Sequence, residues 1–245
     1  MTKAFLFGPN GKLGPIWLQA LQELNYKINA FGLEEELMVE NKSELEYSRL
    51  DIVEANHENL KDLFNQLSPR VVVINSGFDS PPGTGESQLN DYSLDSWRKF
   101  FEINLLGCIK ILNASLESNE LPKRIVVIGS MYSETSPIPD LYTHYPPRGR
   151  IKHPAYSSSK SALLAAVKQY AGLFLQSGCT LNMLSPGAIQ GNQDQEFVSK
   201  ISSRIPLKRL GNPNELIAGI KFLLDESNTY FVGQNLIIDG GMNLW

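Results

Sequence analysis

The stretch Lys3-Ala4-Phe5-Leu6-Phe7-Gly8-Pro9-Asn10-Gly11-Lys12-Leu13-Gly14 decides the fold. Residues 4–7 form an apolar run of strand length, and glycines 8, 11 and 14 follow at once, opening the helical pattern of residues 15–24. Strand, glycine turn and helix in that order bring backbone without Cβ, and the free N–H groups of a helix N-terminus, to a place where a pyrophosphate can sit. The plainer alternative is a tight turn that needs glycine and binds nothing; the strand before it and the helix after it weigh against that alternative.

Outward from this turn the alternation continues. Short apolar runs at residues 28–31, 71–75, 125–129, 180–184 and 236–239 read as strands, and helical patterns cover residues 56–67, 94–117, 156–177, 197–204 and 214–226. This predicts an α/β fold: a single doubly wound Rossmann-type domain over residues 1–245, with a mostly parallel, about seven-stranded sheet and helices on both faces. Asp95 and Asn212-Pro213-Asn214 are expected helix starts, and Gly178 an expected stop. Two segments read as mobile loops: residues 79–88, with Pro81-Pro82-Gly83-Thr84-Gly85, and residues 133–154, rich in Pro and Tyr.

Composition narrows the partners. The 245 residues carry 22 Lys plus Arg against 26 Asp plus Glu, a net charge of −4, so nothing advertises nucleic acid or an anionic membrane. No run reaches the roughly 18 apolar residues of a membrane span. The two cysteines, Cys108 and Cys179, are far apart in apolar surroundings, which suits a reducing, cytoplasmic compartment. His57, His144 and His153 have no ligand spacing with carboxylates, so no metal is expected, and no Gly-x-Ser-x-Gly elbow supports a hydrolase.

Tyr156-Ser157-Ser158-Ser159-Lys160 puts a phenol and an ammonium four residues apart on one helical face, where the cation can stabilise the phenolate and lower the tyrosine pKa. Any such spacing alone is more often a surface pair. It gains force from Ser130, at the C-terminal end of the strand at 125–129, and from Asn104 in the preceding helix, because ligands of open α/β sheets bind beyond the strand C-termini. Asp51, closing the run 47–50, can accept from an adenine amino group, with a turn or cap as its bland role. Trp97, Phe100, Phe101, Leu105 and Ile109 read as core or subunit interface.

Together these residues resemble the short-chain dehydrogenase/reductase family over essentially the whole chain. Asn104, Ser130, Tyr156 and Lys160 stand where that family has its catalytic tetrad. Asn75-Ser76-Gly77 resembles its Asn-Ala-Gly segment, Ser185-Pro186-Gly187 its Pro-Gly turn, and Asp239-Gly240-Gly241 its C-terminal region. The resemblance implies a small-molecule substrate, a homodimer or homotetramer, and NAD or NADP held by Gly8, Asn10, Gly11, Lys12, Leu13, Gly14, Asp51, Ile52, Asn75, Ser76, Gly77, Tyr156, Lys160, Pro186, Gly187 and Ile189. It further implies alcohol–ketone interconversion: Tyr156 moves the hydroxyl proton, Ser130 holds the carbonyl oxygen, Lys160 lowers the tyrosine pKa, and Asn104 supports a water leading to bulk.

The sequence also departs from the family. Its glycine spacing resembles the extended branch while its tail resembles the shorter one; Phe7 replaces a threonine, and Gly191 replaces a cofactor-touching threonine. After the second strand Gly32 stands where NAD-preferring relatives carry an acid, followed by Glu34, Glu35 and Glu36 and no arginine, which favours NAD; Lys12 pulls toward a phosphate, its bland role being a solvated surface lysine. The 26 positions from Ser130 to Tyr156 are about twice the family's usual interval, and the insert at 133–154, with Tyr142, His144, Tyr145, Arg148 and Arg150, is expected to form a substrate-side lid. Its aromatics and cations suit a sugar or nucleotide-sugar, and the insert and tail resemble members associated with bacterial surface-glycan sugars. A catalytically silent nucleotide sensor and a nucleotide-sugar epimerase or dehydratase are the alternatives; a sensor has no need of all four tetrad residues.

Overall fold

The computed structural model describes residues 2–38, 44–80, 92–145 and 151–244. The run Pro81–Gly85 of the first expected loop, and Pro146, Pro147, Arg148 and Arg150 of the second, lie outside the described residues.

In chain order the elements are β1 (Lys3–Phe7), α1 (Gly14–Glu23), β2 (Lys27–Gly32), β3 (Leu45–Arg49), α2 (His57–Leu67), β4 (Val71–Ile74), α3 (Leu94–Phe101), α4 (Gly107–Leu116), β5 (Arg124–Ile128), α5 (Pro154–Leu175), β6 (Thr180–Pro186), α6 (Gln195–Arg204), α7 (Ile217–Leu224) and β7 (Asn235–Ile238). Every pairing is parallel, in the order β3-β2-β1-β4-β5-β6-β7. The chain leaves β1 toward one edge and returns at β4 toward the other, so the crevice lies beyond the C-terminal ends of β1 and β4.

Strand alternation divides the interior. Phe5, Phe7, Val72, Ile74, Ile125 and Val127 face α2, α4 and α5, while Ala4, Leu6, Val71, Val73, Val126 and Ile128 face α1 and α7. Phe7 stacks on Phe31, centroids 5.1 Å apart, and is a core residue rather than a cofactor contact.

Four differences from the sequence reading have physical reasons. Strand β3, Leu-Glu-Tyr-Ser-Arg, is a half-exposed edge strand without the apolar run that betrays its neighbours. The helix expected over 94–117 is interrupted by a π-helical stretch, Glu102–Leu106, and its cap is Ser93, whose side chain accepts from Ser96 N; Asp95 sits in the first turn. The stretch after Asn212 begins as a 3₁₀ turn, Pro213–Leu216, under a capping box closed by Glu215. Finally, the insert is not wholly irregular: Pro139–Tyr142 is a 3₁₀ turn, and Leu141 and Tyr142 are buried with Met131, Tyr132, Ile201 and Ile205 in a third small core against α6.

Candidate active site

Sheet hydrogen bonding continues one residue past the strand ends. Gly8 N donates to Phe31 O (2.8 Å) and Asn75 N to Phe7 O (2.9 Å), which sets the glycine turn beside the segment after β4. Gly8 has φ +79°, and a Cβ there would stand 2.7 Å from Ser76 N. On Gly14 a Cβ would stand 1.8 Å from Pro9 O. Asn75 braces this turn: its Nδ2 donates to Gly8 O (2.7 Å) and its Oδ1 accepts from Trp17 Nε1 (2.8 Å). The cleft so formed, about 430 Å³, takes in Gly8, Asn10, Gly11, Asp51, Ile52 and Ser76–Gly77 of the expected site. Asp51 also has the bland role, its Oδ1 accepting from Val53 N (2.8 Å).

Asn10 ties the turn to the segment after β2, donating to Glu34 Oε2 (3.0 Å) and Glu36 O (2.9 Å) and accepting from Met38 N (2.9 Å). Of the three acids, only Glu34 lines the cleft, its Oε2 lying 3.3 Å from where a Cβ on Gly32 would be. No arginine directly follows β2 in the sequence, but one reaches this segment from the neighbouring strand. Arg49, arriving laterally from β3, donates to Leu33 O (3.1 Å) and pairs with Glu35 (3.3 Å).

A second cavity of about 230 Å³ adjoins the ends of β5 and β6. Ser130, Tyr156, Leu13, Lys12, Pro186, Gly187 and Ile189 all line it. Lys12 is exposed, as a surface lysine would be, but its ammonium is engaged: it crosses to the segment after β6, where its Nζ and Gln193 Nε2 both donate to Ile189 O (2.8 Å each). A Cβ on Gly191 would lie 2.5 Å from Lys12 Cε, so the missing side chain there makes room for the lysine.

Helix α5 starts under His153, whose Nδ1 accepts from Ala155 N (3.1 Å) and whose Nε2 meets Ser96 Oγ at 2.8 Å. Tyr156 is therefore in the first turn, and Lys160 follows one turn on, buried, its Nζ donating to Ile128 O (3.2 Å). Asn104, in the π-helical stretch, is engaged at both ends of its amide: its Nδ2 donates to Phe78 O and Ser159 Oγ (3.0 Å each), and its Oδ1 accepts from Phe78 N (2.6 Å). Its side chain clamps the segment after β4 to α5 and leaves one acceptor site on Oδ1.

The tyrosine's electrostatics also depart from expectation. Burial pushes the Tyr156 hydroxyl above its usual pKa, the Asp79 carboxylate adds to this, and Ser130 pulls the other way. Lys160 does not lower it, because its ammonium is turned to Ile128 O and is itself desolvated, its pKa brought down to about 8. Sequence reasoning missed Trp17, Arg49, Asp79, Lys152 and Gln193; only Lys152, four residues before Tyr156, left a spacing signal.

Among the described residues no group of three or more His, Cys, Asp or Glu could hold a metal, and no helix is long and apolar enough to cross a membrane. His57 pairs with Glu117 (2.9 Å) and His144 with Asp194 (3.1 Å). Both cysteines are buried free thiols.

A family model described as enoyl-(acyl carrier protein) reductase matches residues 32–243. Glucose 1-dehydrogenase 2 of Bacillus subtilis (strain 168) is 26% identical over 237 residues, covering 91% of this chain and 84% of its own. A short chain dehydrogenase from Leptospira borgpetersenii serovar Hardjo-bovis, solved with bound NAD+, shares the fold with a TM-score of 0.82 at 23% identity, over 98% of this chain and 92% of its own. The NADPH-dependent 3-quinuclidinone reductase of Rhodotorula rubra superposes with a TM-score of 0.80 at 20% identity, over 100% of this chain and 92% of its own. With a match that extends from the end of β2 almost to the C-terminus, the chain belongs to the short-chain dehydrogenase/reductase family of NAD(P)-dependent oxidoreductases.

Proposed function

We propose that this oxidoreductase interconverts a secondary alcohol and a ketone at Tyr156 and Ser130. The observation that carries the reading is that Tyr156 and Ser130 line one cavity together with Lys12 and Leu13 from the glycine turn and Pro186–Ile189 from the end of β6. The residues fit a dinucleotide: the larger cleft is lined by Gly8, Gly11 and Gly32, each at a place where a Cβ would crowd a neighbouring atom, and by Gly77. In this reading Gly8 to Gly14 hold the diphosphate, with Lys12 adding a cation; Asp51 and Ile52 receive the adenine; Asn75, Ser76 and Gly77 border the ribose; and Pro186, Gly187 and Ile189 hold the nicotinamide end. The bound nicotinamide takes up or returns the hydride.

The chain's own residues move the proton and fix the oxygen. Tyr156, kept protonated by burial, is set up as the acid that donates to the ketone oxygen in reduction; in oxidation it has to lose that proton first, and the phenolate then takes the proton of the alcohol. Ser130 Oγ donates to the same oxygen. Lys160, its pKa brought down to about 8 by burial, stands one turn after Tyr156 on α5 as a cation held on Ile128 O, and Asn104 is a positioning residue for Phe78 and Ser159. Glu34, the acid brought back to the cleft wall, supports NAD over NADP, since its charge opposes a 2′-phosphate. Buried free thiols support a cytoplasmic setting, and exposed Leu106, Leu173 and Leu175 support a homo-oligomer. A polar substrate such as a sugar suits the polar reacting cavity. In Tyr156→Phe we expect turnover to fall at least about 10²-fold while cofactor affinity by calorimetry stays nearly unchanged; retained turnover removes Tyr156 from the mechanism.

A further inference from the structure

We infer that Asp79 and Lys152 are the substrate-recognition pair of the reacting cavity, and that they select a neutral polyhydroxylated substrate, a sugar or sugar alcohol. This rests on the alcohol–ketone reading above. Lys152 Nζ donates to Asp79 Oδ2 at 2.6 Å, and the lysine side chain is only 9% exposed while the aspartate is 42% exposed. The ammonium also stands 4.4 Å from the centroid of the Tyr156 ring. Both residues line the cavity with Ser130, Tyr132, Tyr142 and Phe197.

A buried ammonium recovers its desolvation cost only when its remaining donors are served, and Lys152 is the buried member of this pair while Asp79 faces the open side. An ammonium has three N–H groups and a carboxylate about four acceptor sites, and among the described residues this pair has one hydrogen bond, the one between its members. Spare donors and acceptors side by side match adjacent hydroxyl groups, each of which donates and accepts. The pair is neutral as a unit. An anionic substrate would meet Asp79, a cationic one would meet Lys152, and an alkyl chain would leave both unserved. The aromatic faces of Tyr132, Tyr142 and Phe197 suit the C–H face of a sugar ring. No other ion pair borders the reacting hydroxyls among the described residues.

The test is initial-rate kinetics, with NAD and with NADP, on three substrate classes: aldoses and alditols, 2-hydroxy acid anions, and plain secondary alcohols. Wild type is expected to favour polyols over plain alcohols by at least about 10-fold in kcat/KM, a hydrogen bond to a charged group being of that size. Asp79→Asn and Lys152→Met should each lower kcat/KM for polyols about 10- to 100-fold more than for plain alcohols, any change in the Tyr156 pKa being common to both classes. Lys152→Gln replaces the Met variant if the latter fails to fold. A wild type that favours 2-hydroxy acid anions over polyols overturns the inference, whereas a rise in hydroxy-acid kcat/KM in Asp79→Asn is expected of it, because the repelling carboxylate is gone. Equal losses on all three classes overturn it too, since a pair that only braces the cavity would act so. Calorimetry with sorbitol on Tyr156→Phe separates recognition from catalysis. Binding there that Asp79→Asn abolishes upholds the pair even if wild type turns over none of the three classes. No binding there, with plain alcohols oxidised by wild type, defeats the pair and spares the dehydrogenase reading.

Discussion

The two ends of the cleft are built on opposite principles. Beside β1, β2 and β4 the wall next to the turn is made by leaving side chains out, at Gly8, Gly11, Gly32 and Gly77, and the amides of Asn10 and Asn75 brace the backbone there. Beside β5 and β6 the wall is made by putting polar groups in: Lys160 is buried, Lys152 nearly so, and the phenols of Tyr132, Tyr142 and Tyr156 are packed against a small aromatic core. The first end binds by shape and backbone dipoles and gives up little stability to do so. The second holds charge out of water, which is costly to folding and useful to chemistry. Substitutions at the two ends should therefore fail in different ways.

The largest effect is expected at the end built by omission. In Gly14→Ala the new Cβ would fall 1.8 Å from Pro9 O, a backbone atom that cannot swing aside as a side chain does. Turn and helix must separate, with an expected loss of more than about 3 kcal/mol of stability and of measurable dinucleotide binding. Chemical denaturation and calorimetry read both. A variant that keeps wild-type stability would show that this turn is softer than its packing implies and would erase the contrast between the two ends.

Legibility followed the same divide. The omitted side chains are visible as letters: glycines 8, 11 and 14 after an apolar run fixed the turn, and the tetrad spacing placed Ser130, Tyr156 and Lys160 near one another. What could not be read depends on lateral or long-range neighbours. Arg49 reaches the segment after β2 because β3 lies beside β2, and β3 itself lacks an apolar run because it is an edge. Asp79 and Lys152 are 73 residues apart and meet only in the folded cavity. The π-helical stretch at Glu102–Leu106 does not disturb the hydrophobic period enough to show, yet it is what carries Asn104 to Phe78 and Ser159. The insert reads as a mobile loop from its Pro and Tyr content, whereas Leu141 and Tyr142 anchor its described part in the third core.

The second effect lies at the end built by burial, and its sign is the informative part. Lys160 has its pKa brought down to about 8 from 10.5, chiefly by desolvation, so the folded state holds its proton less tightly than the unfolded chain. Below about pH 8 both states carry the proton and the full cost is present. Between about pH 8 and 10.5 only the unfolded chain does, so this site's contribution to stability rises with pH. Lys160→Met should abolish turnover and yet raise stability near neutrality by up to about 3 kcal/mol, the equivalent of the shift. That gain over wild type should shrink as pH climbs toward 10. A Met variant less stable than wild type at pH 7 would mean that the bond to Ile128 O outweighs the burial of charge.

Cofactor choice is a smaller matter, because it involves one exposed carboxylate. Glu34→Gln keeps the shape of the cleft wall and the bond from Asn10 while removing the charge. The ratio of NAD to NADP affinity should fall about 10-fold, close to 1.4 kcal/mol. An unchanged ratio would transfer the preference to Arg49 and its pairing with Glu35.

The smallest effect is expected where the two ends touch. Lys12 leaves the glycine turn and ends on Ile189 O, so one side chain joins the wall of omission to the wall of burial, and it can do so because Gly191 is bare. A Cβ on Gly191 would stand 2.5 Å from Lys12 Cε and 2.7 Å from its Nζ, the far end of a flexible chain that can move off cheaply. Gly191→Ala should therefore leave stability within about 0.5 kcal/mol and weaken dinucleotide binding only about three- to tenfold, the size of one exposed ammonium contact. Lys12→Met should weaken binding similarly, through loss of the charge itself. The two together should do little more than either alone, since both remove one interaction, and a double-mutant cycle by calorimetry measures that overlap. Additive losses would mean that Gly191 acts on the dinucleotide through its own backbone and that Lys12 is no bridge between the two ends.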